Sequence, residues 1–136
     1  MRNTLFAALV LAAALIGCTG ARNEGSSVPS ITPAESAQLL DRDTTVVFLD
    51  VRTTSEFRSE AGHLHRALHI PVDSLEFRLS ELNPYASKTI IAYCRSGVRS
   101  SRAQRFLAEK GFHAMSMLGG IVRWNKEQLP VVKEPQ

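Results

Sequence analysis

The apolar positions of this chain fall into three kinds of run. Residues 5–16 are continuously apolar, twelve in a row after the basic start Met1-Arg2-Asn3. Residues 44–49 (TTVVFL) and 88–93 (KTIIAY) are short β-branched runs, the pattern of strands covered on both faces. Elsewhere apolar residues return at helical spacing. Thr32, Pro33 and Glu35 supply a cap, a first-turn proline and a capping box for a helix reaching Leu40, and Asp41-Arg42-Asp43 ends it. Thr53 or Thr54 caps a short helix containing Glu56, Phe57 and Arg58. A loop over 62–66 leads to a short strand at 67–70, stopped by Pro71. Leu75, Leu79 and Leu82 predict a helix over 72–82. A further helix is predicted over 99–110, with Phe106 and Leu107 toward the core and Gly111 as its stop. Residues 113–117 read as a strand in which Met115 and Met117 pack, and Gly119-Gly120 turns into a last helix over 121–128 that buries Trp124 and ends at Pro130.

Strands alternating with helices predict an α/β fold, a central parallel sheet of about five strands with helices on both faces. In such folds the ligand site lies beyond the carboxyl ends of the strands. The 136 residues suit one domain of ordinary size, and 44% hydrophobic with 21% charged residues is a globular balance. The formal charge of +3 is too small to point to nucleic acid.

The first apolar run is too short to span a bilayer comfortably and suits the core of an export signal. It ends in Leu15-Ile16-Gly17-Cys18, which resembles the bacterial lipobox, where cleavage precedes a cysteine that receives lipid. An ordinary secretory signal or an uncleaved anchor is the alternative. The expected organisation is a signal peptide over 1–17, a lipidated Cys18 with a small, polar tether over 18–30, the folded domain over 31–132 and a tail over 133–136. Lipid on Cys18 places the domain on a membrane surface of the cell envelope, facing the periplasm. Thr19 after the cysteine, rather than Asp, favours the outer membrane in a Gram-negative cell.

That address changes the weight of the cysteines. There are two, and with Cys18 lipidated Cys94 is the free thiol of an exported chain, where cysteines usually pair. A buried, inert cysteine is the bland alternative, and the polar loop around Cys94 argues against it. Cys94-Arg95-Ser96-Gly97-Val98-Arg99-Ser100 joins a strand to a helix N-terminus, where backbone N–H groups and the helix dipole favour thiolate. Gly97 lets the loop curl, and Arg99 offers a fixed charge and a forked donor to an anion. A cysteine phosphatase has Cys-x5-Arg. Here the spacing from Cys94 to Arg99 is Cys-x4-Arg, a tighter cradle suited to a sulfane sulfur on the cysteine rather than to a phosphate in front of it.

With these residues the chain resembles the single-domain rhodaneses, thiosulfate sulfurtransferase-like proteins. The matching residues are Asp50-Val51-Arg52 with Glu56-Phe57, Gly62-His63-Leu64 through Ala67, Ile70-Pro71, the loop from Cys94 to Ser100, Gly111-Phe112, Leu118-Gly119-Gly120, Trp124 and Leu129-Pro130. The resemblance implies that Cys94 takes the outer sulfur of thiosulfate, releases sulfite and carries a persulfide, which cyanide or a thiol then removes. It implies that the N–H groups from Arg95 to Ser100 (Arg95, Ser96, Gly97, Val98, Arg99, Ser100) hold the persulfide charge, that Arg99 positions the donor, and that no metal or organic cofactor is required. A carrier delivering the sulfur to a protein partner is the second reading, and a phosphatase or arsenate-reductase-like enzyme the third. The family usually has glycine where this chain has Arg66, which adds charge near the pocket rim or alters the backbone there.

The remaining polar residues have plainer readings. Asp50, Arg52 and Glu56 are expected to form a structural ion-pair and capping cluster, and His63 to pack in its loop with a hydrogen bond to backbone. His63, His65 and His69 share no implied face, which argues against a metal site. Arg102 and Arg105 either add to the positive field of the loop or form the solvated face of its helix.

Overall fold

The computed structural model describes residues 27–133. The expected signal, Cys18, the tether as far as residue 26 and the tail from 134 lie outside the described residues. In chain order the elements are β1 (Ser30–Ile31), α1 (Pro33–Leu39), β2 (Val46–Asp50), α2 (Thr54–Phe57), β3 (Leu68–His69), two 3-10 turns (Val72–Ser74 and Leu79–Tyr85), β4 (Thr89–Tyr93), α3 (Val98–Glu109), β5 (His113–Met117) and α4 (Gly120–Lys126). The five strands form one parallel sheet in the order β1-β5-β4-β2-β3, so the predicted α/β architecture is the observed one.

Local chemistry sets the boundaries. Thr32 and Glu35 form the expected capping box on α1, with the Thr32 N–H donating to Glu35 Oε2 at 2.9 Å and the Glu35 N–H donating to Thr32 Oγ1 at 3.3 Å. Thr53, not Thr54, caps α2 in the same way with Glu56. β2 starts at Val46 rather than at residue 44, because Thr45 donates both its N–H and its hydroxyl to Asp43 Oδ1 and is held in the preceding turn.

Two elements differ from expectation. Strand pairing begins at Ser30, the last residue of the expected tether. Ser30 is level with Ser116 in β1–β5 pairing, and the Ser116 N–H donates to Pro29 O at 2.8 Å. Two residues are too few to leave an apolar period. Residues 72–82 form tight 3-10 turns rather than an α-helix. Pro84 inside the second turn has no N–H to give and blocks α-helical continuation. The Arg78–Glu81 ion pair spans one 3-10 repeat. Leu75 and Leu82 still reach the core, while Phe77 between the two turns is exposed.

The central strands divide the core by simple alternation. Ile90, Ala92 and Cys94, with Leu49 and Val51, pack against Leu75, Leu82 and the Ala103–Leu107 face of α3. Ile91, Tyr93 and Phe48 pack on the other face against Leu40, Met117, Ile121 and Trp124. Each fully buried aliphatic chain contributes about 1.5–3 kcal/mol. Asp50 of β2 is level with Tyr93 of β4, so Cys94 is the first residue past the sheet's carboxyl edge.

Candidate active site

Cys94 leaves β4 into a four-residue loop, and α3 begins at Val98. Gly97 makes the turn with φ of 104°, the left-handed region that side chains avoid. The loop thereby folds its own amides back onto the sulfur. The Gly97 N–H donates to Cys94 Sγ at 3.1 Å, and the thiol lies 3.7 Å from the Ser100 hydroxyl. Cys94 is 1% exposed. Burial pushes its thiol up, but the Ser100 amide and hydroxyl and the Gly97 and Ser96 amides together outweigh it and leave the pKa below the ordinary value. Of the six residues expected to line the cradle, Ser96, Gly97 and Ser100 therefore turn hydrogen-bond donors toward the sulfur. Arg95, Ser96 and Val98 have exposed side chains, and Ser100 is buried.

The start of α4 braces the loop from the far side. The Ile121 and Val122 N–H groups donate to the Cys94 and Arg95 carbonyls at 2.8 and 3.1 Å. Gly120 lies directly over this peptide, with φ of 56°, and a Cβ there would come within 2.6 Å of the Arg95 carbonyl carbon. The sequence marks Gly119-Gly120 only as a turn. The close approach to a loop twenty-five residues earlier needs the sheet order to be known.

Arg99 and Glu56 face each other across the site entrance. Arg99 Nη1 and Nη2 donate to the two Glu56 carboxylate oxygens, each at 2.6 Å. The Arg99 bonds and, against burial, those from Thr53 hold the Glu56 carboxyl at about 2, below its ordinary 4.5. Glu56 in turn pushes Arg99 up, and the Cys94 sulfur adds to that shift. The forked donor expected to meet an anion is thus engaged by Glu56, which the sequence placed with Asp50 and Arg52.

Asp50 and Arg52 form a separate, fully buried pair. Arg52 donates to Asp50 at 2.6–3.0 Å through Nη2 and Nε and to the Gly62 carbonyl at 2.8 Å. It also lies 5.7 Å from the Tyr93 ring centroid. The Tyr93 hydroxyl accepts from the Leu64 N–H at 3.1 Å. Burial and Asp50 hold that hydroxyl well above its ordinary range. These contacts fix the loop over 62–66. His63 bonds the Leu64 carbonyl through Nδ1 and stacks on Phe57, whose other face meets His69. His65 instead pairs with Asp41. Among the described residues no group of three or more His, Cys, Asp or Glu could hold a metal ion.

Three cationic residues fall away from the sulfur. Arg102 pairs with Asp73 and both are exposed, and Arg105 is exposed. Arg66 adopts φ of 58°, so the backbone keeps the glycine-like geometry despite the side chain. It lines a cavity of about 330 Å³ at the amino ends of β2 and β4, opposite the Cys94 end, and adds no charge to the rim of the cradle. A second cavity of about 310 Å³, lined by Arg52, Glu56, Arg95, Val122 and Asn125 among others, opens beside the loop.

Known proteins similar to this chain bear on its family. The profile of the rhodanese-like domain family matches residues 32–127. A sulfurtransferase of Allochromatium vinosum is 33% identical over 88 residues, 64% of this chain and 78% of that protein. A tRNA uridine(34) hydroxylase of Cytophaga hutchinsonii is 34% identical over 102 residues, 72% of this chain, and the match spans only 32% of that longer protein. Among solved structures, a rhodanese-related protein from Thermoplasma volcanium superposes with a TM-score of 0.70 at 29% identity, covering 78% of this chain and 99% of that one.

Proposed function

The chain belongs to the rhodanese-like domain family, and from that membership we propose a sulfurtransferase that works through a persulfide on Cys94. The observation that carries the reading is the cradle itself: a buried sulfur, its pKa lowered, under amides from Ser96, Gly97 and Ser100. In the first step the Cys94 thiolate attacks the outer sulfur of thiosulfate. A bond forms between the two sulfurs, the sulfur–sulfonate bond breaks, and sulfite leaves with the electron pair. The terminal persulfide sulfur keeps the single negative charge that the thiolate began with. The same donors that favour thiolate then stabilise it. In the second step cyanide or a thiolate attacks that terminal sulfur and returns Cys94 as thiolate. No proton has to be placed on the donor, which suits a site whose nearby cation, Arg99, stays charged.

Delivery of the sulfur to a protein thiol is the second reading. It is favoured by the engagement of Arg99 with Glu56, which leaves the guanidinium less free to clamp a small donor.

Intact-mass measurement after incubation with thiosulfate tests the first step. One added sulfur atom, absent in Cys94→Ser, is the expected result. Sulfite release with cyanide present should be abolished in the same variant, and retained activity would remove Cys94 as the nucleophile. A persulfide that forms but turns over slowly with cyanide, and quickly with a protein thiol, would replace the enzyme reading by the carrier.

A further inference from the structure

One buried hydroxyl near the site is left unused by this mechanism. Ser116 lies on β5, is 2% exposed, and faces α3 between two methionines that face away. Its Oγ is 2.8 Å from Ser100 Oγ and 3.4 Å from Ser101 Oγ. Ser100 Oγ lies 3.7 Å from Cys94 Sγ and 3.1 Å from the Gly97 carbonyl oxygen, and Ser101 Oγ donates to that same carbonyl at 2.8 Å.

Each hydroxyl has one proton to give, so the charge on sulfur sets which way the Ser100 proton points. With a neutral thiol, S–H donates to Ser100 Oγ and the Ser100 proton turns to the Gly97 carbonyl. Once the thiol proton has left to solvent, the sulfur needs a donor, and the Ser100 proton must turn back to it. The Gly97 carbonyl does not lose its last partner, because Ser101 still donates to it. The Ser100 oxygen then presents its lone pairs toward Ser116.

We propose that Ser116 is a positioning residue that donates its proton to Ser100 Oγ and so holds the Ser100 proton on the anionic Cys94 sulfur. Donors aligned in one direction polarise each other, which strengthens the final bond to thiolate or persulfide. The charged groups at this end of the sheet are Arg99 with Glu56 behind it, Arg95 in the loop and the Asp50–Arg52 pair. From β5 the facing group is the uncharged Ser116.

The proposal rests on Cys94 as the reactive sulfur. Its test needs no sulfur donor. In the full chain carrying Cys18→Ser, Cys94 is the one remaining thiol, and its thiolate absorbance near 240 nm can be followed against pH. Ser116→Ala should raise the midpoint by about 0.3–1 unit, the effect of one neutral hydrogen bond. Ser116→Thr, which keeps the hydroxyl, should return it toward the parent. In a Ser100→Ala background Ser116→Ala should add no further shift, because its action runs through Ser100. An unchanged midpoint in Ser116→Ala, or an equal shift with Ser100 already removed, overturns the proposal, and the second comparison stands even if Ser116→Thr folds poorly. Normal thiosulfate turnover with an unshifted titration sinks only the role of Ser116. A shifted titration without any sulfur transfer sinks only the transferase reading.

Discussion

Two carboxylate–arginine pairs start from one segment of this fold, and they do opposite work. Asp50 and Arg52 are 0% and 1% exposed, and Arg52 ties the end of β2 to the 62–66 loop. Glu56 and Arg99 are 29% and 30% exposed and join α2 to α3 beside the Cys94 sulfur. The side chains of the first pair are shut off from solvent, with Arg52 only bordering the cavity beside the loop. Those of the second are part-exposed, and their cation is near enough to Cys94 to respond to its charge. Burial, rather than residue type or bond length, separates a structural pair from one that positions a site.

The largest expected effect comes from breaking the buried pair. Arg52→Leu leaves the Asp50 carboxylate uncompensated and the Gly62 carbonyl without its donor, and should cost about 3–5 kcal/mol of stability. Denaturant unfolding measures this. The double variant Asp50→Leu/Arg52→Met, which removes both charges, should recover part of the loss. A loss below about 1 kcal/mol in Arg52→Leu would mean that water reaches the pair, and the contrast between the two would collapse.

An intermediate effect is expected at the entrance, and in a different quantity. Arg99→Ala should lower kcat/KM for thiosulfate by about 5- to 150-fold, the worth of about 1–3 kcal/mol of charged hydrogen bonding in the transition state. Its stability should fall by less than about 1 kcal/mol, since Glu56 can turn to solvent. Unchanged kinetics would demote Arg99 to a brace for α2, and a stability loss as large as that of Arg52→Leu would make the two pairs equivalent.

The sequence makes some of this contrast legible and hides the rest. Capping boxes at Thr32 and Thr53, the apolar runs of β2 and β4 and the Cys94–Ser100 loop depend on neighbours within a few positions, and each can be read locally. The partnership of Glu56 with Arg99 bridges forty-three residues, and nothing local separates Glu56 from Asp50 and Arg52 six and four positions earlier. The same holds for Gly120 over the Arg95 peptide and for Ser116 beside Ser100, which meet only because β5 lies next to β4. Ser116 did leave a trace, a lone hydroxyl between two methionines in a strand, but that pattern alone does not name its partner. The 72–82 segment misled in the opposite way. Leucines spaced by three and four satisfy an α-helix and a pair of 3-10 turns alike, and Pro84 and the Arg78–Glu81 pair tip the balance.

The smallest effect sharpens the comparison most, because it isolates the part-exposed pair by pH. In the folded chain the Glu56 carboxyl is held at about 2, against an ordinary 4.5. A depressed folded value means that the unfolded chain takes up the proton first as acid is added. The stability contributed by Glu56 is therefore fully present above about pH 4.5 and is lost as the pH falls toward 2. Glu56→Gln has no proton to take up, so its unfolding free energy should depend less steeply on pH across that window. At neutral pH the two chains should differ by less than about 1 kcal/mol, because both members of the pair remain in contact with solvent. Urea unfolding of both chains at several values from pH 2.5 to 7 measures the two slopes. Parallel curves through the acid range would show that Arg99 does not hold the Glu56 carboxylate in solution, and the site would then be built on a guanidinium free to meet its donor.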